Sequence, residues 1–185
     1  MCGRYVLYGP EATLIENFEV REVPGLAPRY NIARAETVDA KPAFRSAFRS
    51  RRCLIPANGF YEWQASAGPK ARKQPWYVSP AGAPFFAFAG LMERWGPREA
   101  PLYTACIVTT EANALMAPIH DRMPVILTPE AWSRWLDSRT AMSEVTPLLR
   151  PAPAEAMQAW PVSLAVSNAR SEGAQLIEPA PAAQP

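Results

Sequence analysis

The amino-acid sequence predicts an α+β fold, a strand-rich core of mostly antiparallel strands with short flanking helices. Three observations lead there. Strand-like runs follow one another instead of alternating with helical ones. The 21 prolines against 9 glycines favour short strands with rigid connections over long helices. A length of 185 residues, 49% hydrophobic and 19% charged, suits one globular domain large enough to bury a core without staples. That single domain is expected to span residues 1–178, with a disordered tail over 179–185.

The elements follow in order. "CGRYVLY" has the β-branched and aromatic content of a strand. "GPEATLIENF" reads as a short helix, with Pro10 near its first turn and Leu14, Ile15 and Phe18 on one face. "EVPGLAPRYN" is a turn-rich connection. Phe44 and Phe48 stand four apart, as do Arg45 and Arg49, which fits a helix with an apolar face beside a basic one. "CLIP" and "GFYEW" read as strands, and "ASAGPKARK" as an exposed hairpin loop leading to the strand "PWYVS". "PFFAFAGLMERW" and "LYTACIVTT" are apolar runs of buried-strand type. "EANALMAPI" is assigned to a short helix and "RMPVIL" to a strand. "TPEAWSRWLD" has Thr128 as N-cap and Pro129 at the first helical position, with Trp132, Trp135 and Leu136 facing inward. "AWPVS" is the last strand.

Composition narrows the function. Cys2, Cys53 and Cys106 show no metal-ligand spacing, and with a single histidine no metal or other cofactor is expected. The odd cysteine count fits a reducing, cytoplasmic setting. No signal peptide and no apolar stretch of ~20 residues is visible, so no membrane partner is expected. A net charge of +2 demands no nucleic acid, so any basic surface must come from local clustering. Lys41, Arg45, Arg49, Arg51 and Arg52 form such a cluster, which is either a solvated helix face or, with Arg34, Arg122 and Trp63, a track for phosphates and bases. Cys53 and Cys106 sit in apolar runs and read as inert core thiols.

Chemistry concentrates at three residues. Loss of Met1 would make Cys2 the amino terminus, placing an α-amine and a thiol on adjacent carbons. With ordinary values of ~7.7–8.0 and ~8.5, both are partly deprotonated near neutral pH. Glu62, in "NGFYEW", shares a strand face with Phe60, opposite Tyr61 and Trp63. Buried there, it would have a raised pKa suited to a general acid; at an edge, it would simply face water. His120, in "APIHDRMPV", is either a structural group or a proton-transfer group. Two chemistries fit. One is a hydrolase with a cysteine nucleophile and a histidine base. The other is capture of an aldehyde by the Cys2 aminothiol, whose ring closure is intramolecular. An abasic site in DNA is the abundant macromolecular aldehyde that also calls for a basic cleft.

Together, "MCGRY", "ARAETV", "PAFRSAFRSRRCLIPANGFYEW" and "IHDRMPVIL" resemble the SOS response-associated peptidase (SRAP) family of abasic-site processing proteins, from Met1 to about "EGAQLIEP". The resemblance implies removal of Met1 and a thiazolidine cross-link between Cys2 and abasic sites in single-stranded DNA. That makes the chain a peptidase toward itself with lyase-like cross-linking chemistry, a DNA-damage response protein acting as a monomer and nucleoid-associated when bound. It implies that Cys2 is the nucleophile, Glu62 the acid–base group near the deoxyribose, and His120 an aid to ring opening and reversal. It places Arg4, Arg34 and Arg122 toward phosphate or active-site carboxylates and Trp63 near the flipped-out sugar.

One departure stands out. "RYNIARAETV" joins two family motifs directly, as though an intervening segment were deleted around residues 31–33. With "ARAET" in register, Ile32 falls where the family has its active-site asparagine, and Asn31 lies one position early. In a strand that offset points a side chain to the opposite face unless the backbone bulges. A family member inactivated by the deletion is thus a third possibility.

Overall fold

The predicted strand run around Asn58 turns a corner at that residue. In the computed structural model, which describes residues 4–7, 33–66, 68, 72–168 and 170–180, β3 (Arg52–Ala57) belongs to one sheet and β4 (Gly59–Gln64) to another. The Asn58 amide donates to the Pro84 carbonyl at 3.1 Å and fixes the corner. Glycine follows because a Cβ at position 59 would stand 2.5 Å from the Tyr77 ring and from the Val78 carbonyl oxygen.

The first sheet is antiparallel in the order β1-β4-β5-β9, with β1 at Arg4–Val6, β5 at Gln74–Pro80 and β9 at Met157–Pro161. The second runs β2-β7-β6-β3, with β2 at Ala33–Arg34, β6 at Phe86–Trp95 and β7 at Leu102–Glu111. Among the described residues its one parallel pair is β2 on β7. Beyond the Gly90–Ile107 pair, the chain over 122–127 inserts between β6 and β7. β8 (Arg122–Pro124) pairs with β7, Val125 exchanges backbone bonds with Val108 and Ala89, and Ile126 bridges Phe88. The α+β expectation holds.

Three apolar layers result. Between the sheets, Phe60 meets Phe86 and Phe88 with ring centroids 6.1 and 5.9 Å apart, beside buried Met116, Ile119 and Met123. On the outer face of the second sheet lie α1 (Pro42–Ser50), α2 (Pro129–Leu136) and α3 (Met142–Val145), with Phe48 and Trp135 at the centre. On the outer face of the first, Tyr61 and Tyr77 pack against Val162 and Val166.

Several expectations need correction. The predicted helix over "EANALMAPI" is a series of turns. Ala117 and His120 make helix-like bonds to Asn113 and Met116, but Pro118 has no N–H to carry a helix through. Leu136 does not face inward; it is 48% exposed, and Ala131 and Trp135 form the buried stripe of α2. Arg51 and Arg52 leave the proposed phosphate track. Arg51 pairs with Glu93 at 2.8 Å, and Arg52 is buried, donating to the carbonyls of Phe48, Arg49, Trp135 and Asp137. Lys41, which precedes α1, and Arg45 and Arg49 on it are exposed. Cys53 and Cys106 are half-buried, and burial pushes the Cys53 thiol up to about 12. Pro179 bridges Val162, and the Ala180 N–H donates to Pro161. The helix and connection expected over 9–31 lie outside the described residues.

Candidate active site

Strand alternation decides what β4 presents. Phe60 points into the inter-sheet core, so Glu62 lies on that same face while Tyr61 and Trp63 lie on the other. Glu62 is 1% exposed, which excludes an edge glutamate facing water. Burial raises its carboxyl above the ordinary range, and the charge of nearby His120 works against that rise. A carboxyl held protonated at higher pH than usual, close to an imidazole, is a competent acid–base pair.

His120 ends the turn-rich loop over 112–121. The loop is closed at its base by the Ala112 N–H on the Asp121 carbonyl, and Met116 and Ile119 bury beneath it. The Arg122 backbone N–H lies 3.0 Å from His120 Nδ1. Asp121 Oδ1 is 2.9 Å from the same nitrogen and becomes an ion-pair partner once the ring is protonated. The side chain is 22% exposed and open to exchange protons with a ligand.

Arg122 follows directly. Its guanidinium forks onto Glu36, with Nη1–Oε1 at 2.7 Å and Nη2–Oε2 at 3.0 Å, and Nη2 also donates to the Thr109 carbonyl at 2.7 Å. The pair pulls Glu36 below the usual carboxylate range, chiefly through the hydrogen bond from Arg122. It ties the short 3₁₀ turn Ala35–Thr37, just after β2, to β7 and β8. Arg34 projects from β2 opposite Thr109 and is exposed.

Arg4 and Trp63 form a separate group. Arg4 pairs with Tyr61 across β1 and β4, donates to the Val166 carbonyl and lies 5.7 Å over the Trp63 ring. The Trp63 indole donates to Ser167 Oγ at 3.0 Å. Beside them, a cavity of about 810 Å³ is lined by Arg4, Tyr5, Tyr61, Val166, Leu176 and Ile177. Alternation puts this group on the opposite face of β4 from Glu62. The fold therefore brings the His120 charge to bear on Glu62, sets exposed Arg34 near the Arg122–Glu36 fork, and puts Arg4 and Trp63 on the far face of β4. Cys2 and Asn31 lie outside the described residues.

Glu36 and Thr109 were not among the residues picked out from sequence. Glu36 stands inside "ARAETV", but its partner is 86 residues away, a pairing no local pattern carries. Among the described residues, no group of three His, Cys, Asp or Glu side chains is arranged to hold a metal, and no helix is long and apolar enough to cross a membrane.

Comparison with known proteins gives the family and the fold. The family model for SOS response associated peptidase (SRAP) matches residues 32–169. Abasic site processing protein YoqW of Bacillus subtilis is 46% identical over 217 positions, covering 92% of this chain and 96% of that protein. The alignment is longer than this whole 185-residue chain, so YoqW carries residues with no counterpart here. Abasic site processing protein HMCES of Xenopus tropicalis is 33% identical over 163 positions, covering 75% of this chain and 46% of that protein. A crystal structure of a Bacteroides thetaiotaomicron protein superposes with a TM-score of 0.73 at 31% identity, covering 80% of this chain and 65% of that one. From its motifs, its fold and these relatives, the chain belongs to the SOS response-associated peptidase family.

Proposed function

We propose that this protein processes abasic sites in single-stranded DNA by cross-linking them to Cys2 once Met1 has been removed. The observation that carries the reading is the buried Glu62 under the influence of the His120 charge, with the Arg122 fork two residues beyond that histidine. Relatives named as abasic site processing proteins support it.

The chemistry balances without a cofactor. The Cys2 α-amine adds to the aldehyde carbon of the ring-opened deoxyribose and water leaves, giving an imine. The thiolate then adds to the imine carbon, the nitrogen takes up a proton, and a five-membered thiazolidine closes. Glu62 in its acid form protonates the departing oxygen, and His120 shuttles the proton that ring opening of the sugar and reversal require. Arg34 and Arg122 hold phosphate, whereas Arg4 and Trp63, on the far face of β4, stay outside this site. For Arg122 this means exchanging one oxygen of Glu36 for one of phosphate. Asn31 joins the site only if the backbone before β2 bulges.

The test is a denaturing gel of the protein with an oligonucleotide bearing one abasic site. A heat-stable adduct is expected, lost in Cys2→Ala and lost when the α-amine is blocked. Blocking the amine while preserving hydrolysis of small thioesters would instead establish a thiol hydrolase, because that reaction needs only the sulfur.

A further inference from the structure

The side chain of Gln64 lies on the Glu62 face of β4, two residues further on. Its Nε2 donates to the Pro118 carbonyl at 2.8 Å, and its Oε1 accepts from the Trp76 indole at 3.1 Å. The orientation of the amide is settled by its partners, since a carbonyl needs a donor and an indole N–H needs an acceptor. Pro118 is two residues before His120, on the turn where the helix-like bonding breaks off. At the other end of the loop, Asn113 Oδ1 accepts from the Met116 N–H at 3.0 Å, and Asn113 Nδ2 donates to the Ala152 carbonyl at 2.8 Å. The loop that carries His120 is thus pinned at its start to the segment before β9 and near its end to β4, the strand that carries Glu62. Of these two pins, only Gln64 joins the histidine's loop directly to the glutamate's strand.

We propose that Gln64 is a positioning residue that sets the distance and angle between His120 and Glu62. The inference rests on the reading of His120 as a proton-transfer group. Pro118 itself is exposed while Met116 and Ile119 anchor the loop in the core, so losing the hydrogen bond changes the setting of the loop end without unfolding it. Gln64→Leu removes both bonds at similar volume. Gln64→Glu keeps an acceptor for Trp76 and removes only the donor to Pro118, which separates loop positioning from the support of Trp76.

Because the chain has a single histidine, tag-free protein gives one imidazole C2–H signal in a proton spectrum, and this reads the position of His120 without any DNA chemistry. Both variants are expected to shift or broaden that signal across its titration while the unfolding midpoint stays within a few degrees of the parent. The cross-linking rate is expected to fall about tenfold to a hundredfold, the scale of small misplacements of a reacting group. In a His120→Ala background, Gln64→Leu is expected to cost nothing further, since the two residues then act as one unit. An unchanged histidine signal in both variants overturns the proposal, as does an equal rate loss with and without His120. If the parent protein forms no adduct, the proposed function fails, and the histidine signal alone decides whether Gln64 positions the ring.

Discussion

Replacing Arg52 with methionine tests whether the basic stretch after α1 is a nucleic-acid track or part of the scaffold. Arg52 is 7% exposed and its guanidinium donates to four backbone carbonyls. Those of Phe48 and Arg49 lie at the end of α1; those of Trp135 and Asp137 lie at the end of α2. One cation therefore caps two helix C-termini and rests 5.8 Å over the Trp135 ring. Bonds from a charged donor contribute about 1.5–3 kcal/mol each, but a plain sum overshoots, because methionine spares the desolvation of the guanidinium and water can reach part of the freed carbonyls. Each carbonyl left without a donor where water cannot reach costs about 1–3 kcal/mol, so with two or so stranded the loss expected for Arg52→Met is about 3–5 kcal/mol. At roughly 2–4 °C per kcal/mol for a domain of this size, the midpoint should drop by about 6–20 °C. Urea denaturation at 25 °C with linear extrapolation measures the loss, and Arg52→Lys should recover part of it. DNA affinity per folded molecule should be unchanged. A loss under ~1 kcal/mol, or weaker DNA binding at unchanged stability, would refute the scaffold role.

Further outcomes follow from other named groups. Glu62→Gln should slow cross-linking by about 10²–10⁴ in single-turnover assays. The same substitution should flatten the pH dependence of stability. The folded-state pKa of Glu62 is raised, so unfolding releases its proton and wild-type stability declines as pH rises from about 4.5 through the native value. A parallel stability profile for the two proteins would contradict the burial argument. Glu36 has the opposite sign: its pKa is lowered in the fold, so its contribution is present above about 4.5 and is lost as pH falls through the native value. At 51% exposure its pair is worth only ~0.2–1 kcal/mol, so Glu36→Gln should cost that much near neutrality and nothing in acid, as read by urea titration. Cys53, pushed up to about 12, should resist alkylation at pH 8 in the native protein, and mass spectrometry of trapped peptides checks it.

Much of the scaffold was legible because it depends on local periodicity. Phe44 and Phe48 mark the inner face of α1, and alternation through "GFYEW" gives the face on which Glu62 lies. Pro129 opens α2 as its position predicts. The errors came where a local signal competed with another. "EANALMAPI" has helical composition, yet Asn113 turns its side chain back onto the Met116 N–H and Pro118 interrupts the bonding. Leu136 sits in the last turn of a helix whose inner stripe is complete at Trp135, so it faces solvent.

What could not be read locally is what joins distant segments. The Glu36–Arg122 fork, the parallel pairing of β2 with β7 and the Gln64 bond to Pro118 are set by how two sheets close on each other. The same gap explains why Arg52 looked like part of a phosphate track. Charge is visible in a sequence, whereas the four carbonyls it satisfies come together only on folding.

The most direct test of the account is the intact mass of the purified protein before and after incubation with a single-stranded oligonucleotide bearing one abasic site. The predicted result is a free protein lacking Met1, and an adduct equal to that protein plus the oligonucleotide minus one water, absent in Cys2→Ala. A protein that has lost Met1 yet gives no such mass would contradict the central claim.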